Sequence, residues 1–409
     1  MSELKTKLVY SLKKNVALKG KIKLLLIILQ FPVVISAYIV ANLSRNKDIW
    51  LIGETGTDAK DNGFAFFRYL RKFHKEIEVA YYISSDSHAK KKVEKIGTTV
   101  ETNSFKHKVL FISARYILST HDGYSIPFFG ANWREFKIAY GWLVPNKKFV
   151  FLNHGVNKDD TTENANYNRT KFDYHVTTTE DEFKEMSNPK YGYPKGNIIK
   201  TGLARYDYLT RSEGHKKNIV YMPTWRYYLA DASDKEFISS RYFKKMYSLM
   251  HNKLLLEFLA KKNIVFYFFP PHHEIQRRIH LFDLQNTGIT VIDTEESNFS
   301  QIVSESSMMI TDFSSVIFDF AYLYKRTAYY QFDTDEYRSG HYKKGYFDYE
   351  RDGFGPILTN ESALVQEIIQ ATDNNFNLET KYENRIKKTF EHTDSKNSER
   401  LFNILKNDK

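Results

Sequence analysis

Polar side chains follow the apolar runs of this 409-residue chain at several points. In MMITDFSSVIFDFAYLYKRTAYYQFD, a strand-like run from Met308 to Thr311 stops at Asp312, and Ser314 and Ser315 open a predicted helix. A helix N-terminus offers unpaired backbone N–H groups and the positive end of the helix dipole, to which hydroxyls add further donors. This junction therefore predicts a phosphate site, although a simple helix cap is the ordinary role of such residues.

Two histidine motifs also follow strand-like runs. His154 in FLNHGV precedes Gly155, where the missing side chain lets a substrate approach, and a histidine there is a suitable general base near neutral pH. His272 and His273 follow VFYFFPP, and on an extended segment only one of two adjacent side chains faces a given side. A lone histidine is more often a hydrogen-bonded structural residue, so this alternative stays open for all three.

Two arginines and an acidic loop complete the candidates. Arg226 in PTWR, two residues after Thr224, has a planar guanidinium fork that fits phosphate oxygens. Charge pairing on a helix surface explains neither Arg226 nor Arg205 in GLARYD. Asp333 and Asp335 form an Asp-x-Asp that would suit Mg²⁺ or Mn²⁺ beside a diphosphate, but a turn-forming acidic cluster is favoured. The sequence requires no cofactor and leaves a divalent cation open.

The elements that would position these side chains are strands alternating with helices. Apolar runs such as DIWLIGE, IEVAYYIS and KKFVFLNHG are separated by helix-length stretches, and the series restarts with IVYMPTW after the polar segment Thr210 to Asn218. One long helical stretch is expected around SRYFKKMYSLMHNKLLLEFLAKKN. The alternation predicts an α/β fold of two Rossmann-like domains with parallel sheets. Ligands bind beyond the carboxyl ends of parallel strands, so the candidate residues are expected to meet in the cleft between the domains.

The composition limits the classes of function. The net charge of +11 indicates an anionic partner: nucleic acid, an acidic membrane or a phosphorylated substrate. The chain has no cysteine, which excludes disulfides, thiolate nucleophiles and cysteine-bound zinc. A phosphate-binding P-loop, a dinucleotide glycine motif and a Gly-x-Ser-x-Gly elbow are all missing from the sequence. Because the charge is diffuse after Lys23 and no aromatic-basic RNA module is present, we expect no nucleic-acid partner.

Residues 1–44 have the composition of a membrane-associating segment. Seven lysines precede or border the apolar run Leu24 to Val40, which is 17 residues long and contains Gln30 and Pro32. Such a run is at the lower limit for a spanning helix, and basic residues beside it favour an anionic lipid surface. We therefore expect a monotopic surface anchor, with a buried core helix and a true span as the alternatives.

Read in order, NHG, PTWR, PPHHE, TDFSSVIFDFA, DEY and GYFDYERDGFGPI resemble the CDP-glycerol glycerophosphotransferase family of wall teichoic acid and capsule synthesis. The resemblance runs from about Asn46 to Ile369. It implies a GT-B fold with an acceptor domain at residues 45–212 and a CDP-alditol donor domain with C-terminal helices at 213–409. It also implies transfer of glycerol phosphate from CDP-glycerol to a lipid-linked acceptor on the cytoplasmic membrane face, with release of CMP.

The resemblance also assigns roles to individual residues. His154 falls on the family's catalytic histidine, and His272 falls on a second histidine that contacts the donor phosphate. The predicted residues of the donor and phosphate site are Thr224, Arg226, His273, Thr311, Asp312, Ser314, Ser315 and Asp319. Asn153 and His273 stand where the family usually has Trp and Pro, so acceptor packing is expected to differ and either His272 or His273 faces the donor. The DEY motif belongs to the family pattern, which weakens the case for a metal at Asp333 and Asp335.

Several alternatives stay open at this point. A CDP-ribitol-dependent transferase or a GT-B nucleotide-sugar glycosyltransferase would share the fold and the basic cleft. A non-enzymatic protein that binds anionic lipid or nucleic acid is a more remote alternative. The sequence leaves open the alditol, the acceptor, single addition against polymerisation, and the oligomeric state.

Overall fold

Two parallel β-sheets form the framework of the protein. The structure is a computed structural model that describes residues 16–43, 48–209, 217–270, 273–293 and 299–408. The strands are β1 (Ile49–Gly53), β2 (Val79–Ile83), β3 (Thr99–Glu101), β4 (Ala114–Ser119), β5 (Lys148–Phe151), β6 (Tyr174–Thr177), β7 (Ile198–Lys200), β8 (Asn218–Tyr221), β9 (Val265–Phe268), β10 (Thr290–Val291), β11 (Met308–Thr311), β12 (Arg326–Tyr330) and β13 (Ile357–Leu358).

The strand orders are those of two doubly wound sheets. The first sheet has the order β3-β2-β1-β4-β5-β6-β7 and the second has β10-β9-β8-β11-β12-β13, with every described pairing parallel. All residues of the central strands β1, β8, β11 and β12 are buried, as expected for apolar strands covered by helices on both faces. The predicted α/β class with two parallel sheets is confirmed. The polar segment from Thr210 to Asn218 leads from the first sheet to the second, and residues 210–216 lie outside the described ranges.

Helices cover both sheets. They are α1 (Val16–Leu29), α2 (Phe31–Leu43), α3 (Asn62–Phe73), α4 (Lys90–Glu94), α5 (Phe105–Ser113), α6 (Trp133–Tyr140), α7 (Thr162–Ala165), α8 (Tyr167–Thr170), α9 (Glu180–Met186), α10 (Asp234–Ser239), α11 (Arg241–Met250), α12 (Lys253–Lys262), α13 (His273–Gln276), α14 (Phe299–Glu305), α15 (Ile317–Tyr322), α16 (Thr334–Gly340), α17 (Tyr349–Asp352), α18 (Glu361–Asp373), α19 (Thr380–Thr389) and α20 (Asn397–Lys406). Short 3-10 turns occur at Gly141–Leu143, Pro189–Tyr191, Ala204–Tyr208, Tyr227–Leu229 and Ile279–Phe282.

The last helix, α20, returns from the second sheet to the first domain. The carboxylate of Asp207 accepts hydrogen bonds from the backbone N–H groups of Asn397 (2.8 Å) and Ser398 (2.7 Å), which satisfies two donors at the start of α20. The ring of Phe402 stacks on His74 with centroids 3.6 Å apart. These contacts fasten the C-terminal end of the chain to the N-terminal sheet.

Three helices have other boundaries in the structure than the sequence predicted. The apolar run at Leu24 to Val40 is divided between α1 and α2, which meet at 56°, because Pro32 lacks a backbone N–H and interrupts the helical hydrogen bonds near Gln30. The long stretch after Ser240 is two helices, since the side chain of Asn252 caps α12 by accepting from the N–H of Leu255. The helix after the serines begins only at Ile317.

Within the described residues, no single helix has the length and apolar character to cross a membrane. The bent pair α1 and α2 meets those two criteria only when its helices are taken together.

Candidate active site

A tight turn at the end of β5 positions His154. Asn153 is buried and has a positive φ of 59°, a left-handed conformation that asparagine tolerates better than most residues. Its Oδ1 accepts from the N–H of His154 (2.9 Å), and its carbonyl oxygen accepts from Asn62 Nδ2 (2.9 Å). The asparagine that departs from the family pattern therefore fixes the direction in which the chain leaves the sheet.

The imidazole of His154 lies in a partly enclosed setting. Its ring stacks on His121 with centroids 5.2 Å apart and planes 17° apart. The side chain is solvent-accessible, yet the walls of the cleft surround it closely. Desolvation lowers the pKa of His154 below its ordinary value of 6.5, Asp61 opposes this effect, and Arg205 reinforces it. The lowered pKa favours the neutral imidazole, which is the form that accepts a proton.

The two domains come into contact beside His154. A Cβ atom added to Gly155 would lie 2.6 Å from Ser315 Oγ, so the absence of a side chain at position 155 permits this approach. Ser315 and Ser314 stand in the turn before α15, where Ser314 Oγ accepts from the N–H of Val316 (3.3 Å). The structure thus places the residue next to the predicted base against one of the two predicted serines across the cleft.

Arg205 joins the domains at the same place. Its Nη2 donates to both carboxylate oxygens of Asp319 (3.0 Å each), and its Nη1 donates to Asp61 Oδ1 (2.8 Å) and to the carbonyl oxygen of His154 (3.1 Å). Burial by itself lowers the pKa of Arg205, but attraction to Asp319 and Asp61 outweighs it and raises that pKa. Asp319 therefore lies on a domain-bridging arginine, and its predicted contact with the donor stays a prediction.

A second buried arginine ties the strand ends of the C-terminal domain together. Arg226 is only 2% exposed, and its Nε and Nη2 donate to the two oxygens of Asp333 (2.8 and 2.7 Å). Nη2 also donates to Asp312 Oδ2 (2.8 Å), and Nη1 donates to the carbonyl oxygen of Thr224 (2.6 Å). All three guanidinium nitrogens have protein partners, so the predicted fork onto a phosphate stays a prediction and a positioning role fits this geometry better.

The remaining donor-site candidates, Thr311 and Thr224, lie at the strand ends next to Asp312 and Arg226. Asp312 Oδ1 accepts from the N–H of Thr224 (2.7 Å), which links the ends of β11 and β8. Thr311 Oγ1 donates to the carbonyl oxygen of Met222 (2.6 Å). Thr224 Oγ1 is buried and has no hydrogen-bond partner among the described residues. The side chains of Asp312 and Thr311 are thus occupied by the protein, and that of Thr224 is not.

The other predicted histidines are not placed in the same way. His272 lies outside the described residues, and His273 opens α13, with no description of its side chain. The sequence predicted an extended backbone at both histidines, and this is wrong for His273, which lies in a helix. The predicted donor contacts of both histidines stay predictions.

Two groups near His154 did not emerge from the sequence as candidates. His121 comes shortly after β4, separated from it by Thr120, so the same strand-end rule would have identified it. Asp61 caps α3 and reaches Arg205, a relation that depends on contacts 144 positions apart. Asp333, considered for a metal, instead pairs with Arg226, and α16 begins at Thr334.

Comparisons with known proteins show the family and the fold of this chain. The sequence profile of the family described as "CDP-Glycerol:Poly(glycerophosphate) glycerophosphotransferase" matches residues 35–407. The chain is 33% identical over 377 residues to the Minor teichoic acid biosynthesis protein GgaB of Bacillus subtilis (strain 168), covering 90% of this chain and 40% of that protein. It is 25% identical over 233 residues to the Teichoic acid glycerol-phosphate transferase of Staphylococcus aureus (strain NCTC 8325 / PS 47), covering 53% of this chain and 56% of that protein. The chain therefore spans only part of the length of these relatives.

Solved structures share the fold. The Wall Teichoic Acid Polymerase TagF superposes with a TM-score of 0.66 at 18% identity, covering 96% of this chain and 98% of that one. A TagF variant soaked with CDPG gives a TM-score of 0.65 at 17% identity, with the same coverage. The UDP-GlcNAc 2-epimerase of Neisseria meningitidis gives 0.52 at 12% identity, covering 88% and 100%. At these identities the likeness shows the fold alone, which is GT-B-like.

Proposed function

The chain belongs to the CDP-glycerol:poly(glycerophosphate) glycerophosphotransferase family, and we propose that it transfers glycerol phosphate from CDP-glycerol to a hydroxyl of a lipid-linked acceptor. The acceptor is a teichoic acid or a related capsule or surface glycan, and CMP is released. The observation that carries this proposal is the close approach of Gly155, the residue after His154, to Ser315 across the interdomain cleft. The similar TagF variant that was soaked with CDPG supports the choice of donor.

The reaction is one in-line displacement at the β-phosphorus of CDP-glycerol. The imidazole of His154 accepts the proton of the acceptor hydroxyl, whose oxygen then bonds to phosphorus. The bond between phosphorus and the bridging oxygen breaks, and CMP leaves with that electron pair. Hydroxyls of Ser314 and Ser315 and the imidazole of His272 donate to the phosphate oxygens, where negative charge is held in the transition state.

The two buried arginines act through other residues in this proposal. Arg205 holds the backbone of His154 and spans to Asp319, which keeps the base against the donor domain. Arg226 holds Asp312 and Asp333 so that the strand ends beneath the serines keep their spacing. Precise placement of reacting groups lowers the activation free energy because less translational and rotational freedom is lost in the transition state.

A donor comparison tests the proposal directly. The full chain is incubated with CDP-glycerol, CDP-ribitol or a UDP-sugar, with and without a lipid-linked acceptor, and the released nucleotide is measured. We expect CMP release that requires both CDP-glycerol and acceptor. If the enzyme turns over CDP-ribitol or a UDP-sugar in the presence of acceptor, and does not turn over CDP-glycerol, the proposed function is wrong and one of the other transferase activities replaces it.

We also propose that the protein lies on the cytoplasmic membrane face as a monotopic protein. On α1 and α2, Leu29 is 67% and Leu43 is 80% exposed, and the adjacent Phe129 is 77% exposed. Gln30 joins the α1–α2 junction to the loop that carries Phe129: its Oε1 accepts from the N–H of Phe129, and its Nε2 donates to the carbonyl oxygen of Phe129 (2.9 Å each). Exposed apolar side chains beside lysines favour insertion at a lipid interface. The nucleotide donor is expected in the cytoplasm, which supports this side of the membrane.

A further inference from the structure

A basic cleft lies beside α1, away from His154. It has a volume of about 730 Å³ and is formed where α1 packs near the start of α6 and the end of α8. Its side chains include Lys19, Lys21, Lys23, Asn132, Arg134 and Arg169. None of these residues belongs to the catalytic arrangement described above.

The cleft has more positive than negative groups. Its one lining carboxylate, Glu135, already accepts from Arg134 Nη1 (2.9 Å) and from the N–H of Asn132 (3.2 Å). Within the part of the chain that the structure describes, the side chains of Lys19, Lys21 and Arg169 have no hydrogen bond or ion pair. An unneutralised cluster of this kind attracts a multiply coordinating anion.

The state of Lys23 points the same way. Its Nζ donates to Asn132 Oδ1. Burial lowers the pKa of Lys23, Lys19 and Arg169 reinforce this effect, and Glu135 and Asp122 oppose it. An anion in the cleft would stabilise the charged lysine and raise that pKa.

The cleft borders an apolar stripe on α1. Leu18, Ile22, Leu25 and Leu29 are exposed and follow one another at the spacing of a single helix face. Lys19 and Lys23 are each one position further along, about 100° around the helix, and so flank the stripe on the side that lines the cleft. A lipid whose acyl chains meet the stripe would hold its headgroup at the depth of these lysines.

We propose that this cleft is a binding site for the phosphate of an anionic phospholipid headgroup. This inference rests on the proposal that the protein lies on a membrane surface. It adds a discrete binding site to the general attraction between lysines and anionic lipid. The net positive charge selects an anionic headgroup over a zwitterionic one, because a choline group would face the same cations. The bordering stripe selects a membrane phospholipid over free phosphate, because only the lipid also covers the apolar side chains.

Short-chain lipids distinguish a site from diffuse attraction. The full chain is titrated with dihexanoyl-phosphatidylglycerol, dihexanoyl-phosphatidylcholine or inorganic phosphate, each lipid below its micelle concentration, and binding is measured by calorimetry. We expect saturable binding of the phosphatidylglycerol with at least about tenfold weaker binding of the other two. The double variant Lys19→Gln/Arg169→Gln should weaken phosphatidylglycerol binding at least about tenfold, whereas Lys75→Gln/Lys91→Gln, on exposed lysines elsewhere, should not.

Three outcomes would overturn the inference. Equal binding of both lipids would remove headgroup selection, and phosphate that binds as tightly as the lipid would make this a free-anion site. An unchanged affinity in Lys19→Gln/Arg169→Gln, with an unchanged melting temperature, would remove the cleft. Transfer from CDP-glycerol to a soluble acceptor analogue in detergent is measured alongside. If the parent protein shows no transfer activity, that result counts against the proposed function. The proposed lipid site is judged on lipid binding alone.

Discussion

In the proposed reaction the chemistry depends on His154, and the charge state of its imidazole follows from its neighbours. Because desolvation lowers its pKa, protonation should remove the base only below the pH at which an ordinary histidine titrates. Asp61 is the neighbour that opposes this effect, since its negative charge favours the imidazolium. The acid limb of the pH profile therefore reports on this pair.

The variant Asp61→Asn should shift that limb. Loss of the carboxylate charge lowers the pKa of His154 further, so the acid limb of kcat/KM should move to lower pH, as measured by CMP release across the pH range. Asp58→Asn is the matched control, because Asp58 lies in the same loop and does not act on His154. An acid limb that moves to higher pH would contradict this electrostatic assignment.

The contact between Gly155 and Ser315 is a second residue-scale feature. In Gly155→Ala the new Cβ displaces the serine hydroxyl, so kcat/KM should fall about tenfold or more. In Gly155→Ala/Ser315→Ala the clash is absent, since the new Cβ meets only the Cβ of residue 315 at about 3.6 Å. The double variant should then be no worse than Ser315→Ala alone. Additive losses in the double-mutant cycle would show that the two positions do not meet during turnover.

At the scale of elements, the ends of β8, β11 and β12 are fixed by the buried cluster of Arg226, Asp312 and Asp333. In Asp333→Asn the guanidinium keeps Asp312 as its counter-ion but loses a charge-assisted hydrogen bond, because an amide has only one acceptor oxygen. The free energy of unfolding should therefore fall by about 1.5–3 kcal/mol, measured by denaturant titration. The exposed Asp335 provides the control, and Asp335→Asn should change stability by less than about 0.5 kcal/mol. Equal effects of the two variants would refute the cluster's structural role.

The helices α1 and α2 combine a buried face with an exposed one. Ile27, Val34, Ala37 and Ala41 are buried in the N-terminal core, so removal of these helices would disturb folding as well as membrane contact. Leu25→Gln/Leu29→Gln changes only exposed side chains and should reduce co-sedimentation with anionic vesicles several-fold without lowering the melting temperature. Leu254→Gln, on the exposed side of α12, is the control. Unchanged vesicle binding would contradict the proposed apolar insertion.

Most strands were predictable because their signal is local. Apolar runs rich in β-branched and aromatic residues mark β1, β2, β8 and β12, and their alternation with helices predicts parallel sheets. The limits of helices were less predictable. Asn252 caps α12 inside a continuous helical pattern, and the turn that holds Ser314 and Ser315 delays α15 to Ile317, because tertiary contacts compete with local helix propensity.

At the scale of the whole molecule, sequence order predicted the cleft but not its internal pairings. The rule that ligands bind beyond the carboxyl ends of parallel strands predicted that His154, after β5 of the first sheet, and the serines, after β11 of the second, face the same cleft. The carboxylate partners of the two arginines lie 86 to 144 positions away along the chain, and no local pattern records such contacts. Arg226 was expected to bind phosphate because its fork suits that role, yet the same fork suits the carboxylates that surround it here.

The central claim is that His154 is the base of a transfer from CDP-glycerol, and His154→Ala tests it most directly. Turnover of CDP-glycerol with a lipid-linked acceptor and the dissociation constant of CDP-glycerol are measured on the parent and the variant. A general base contributes to the reacting step rather than to donor binding, so turnover should fall by about two to four orders of magnitude while donor affinity changes little. Turnover within a few-fold of the parent in a correctly folded variant would contradict the account.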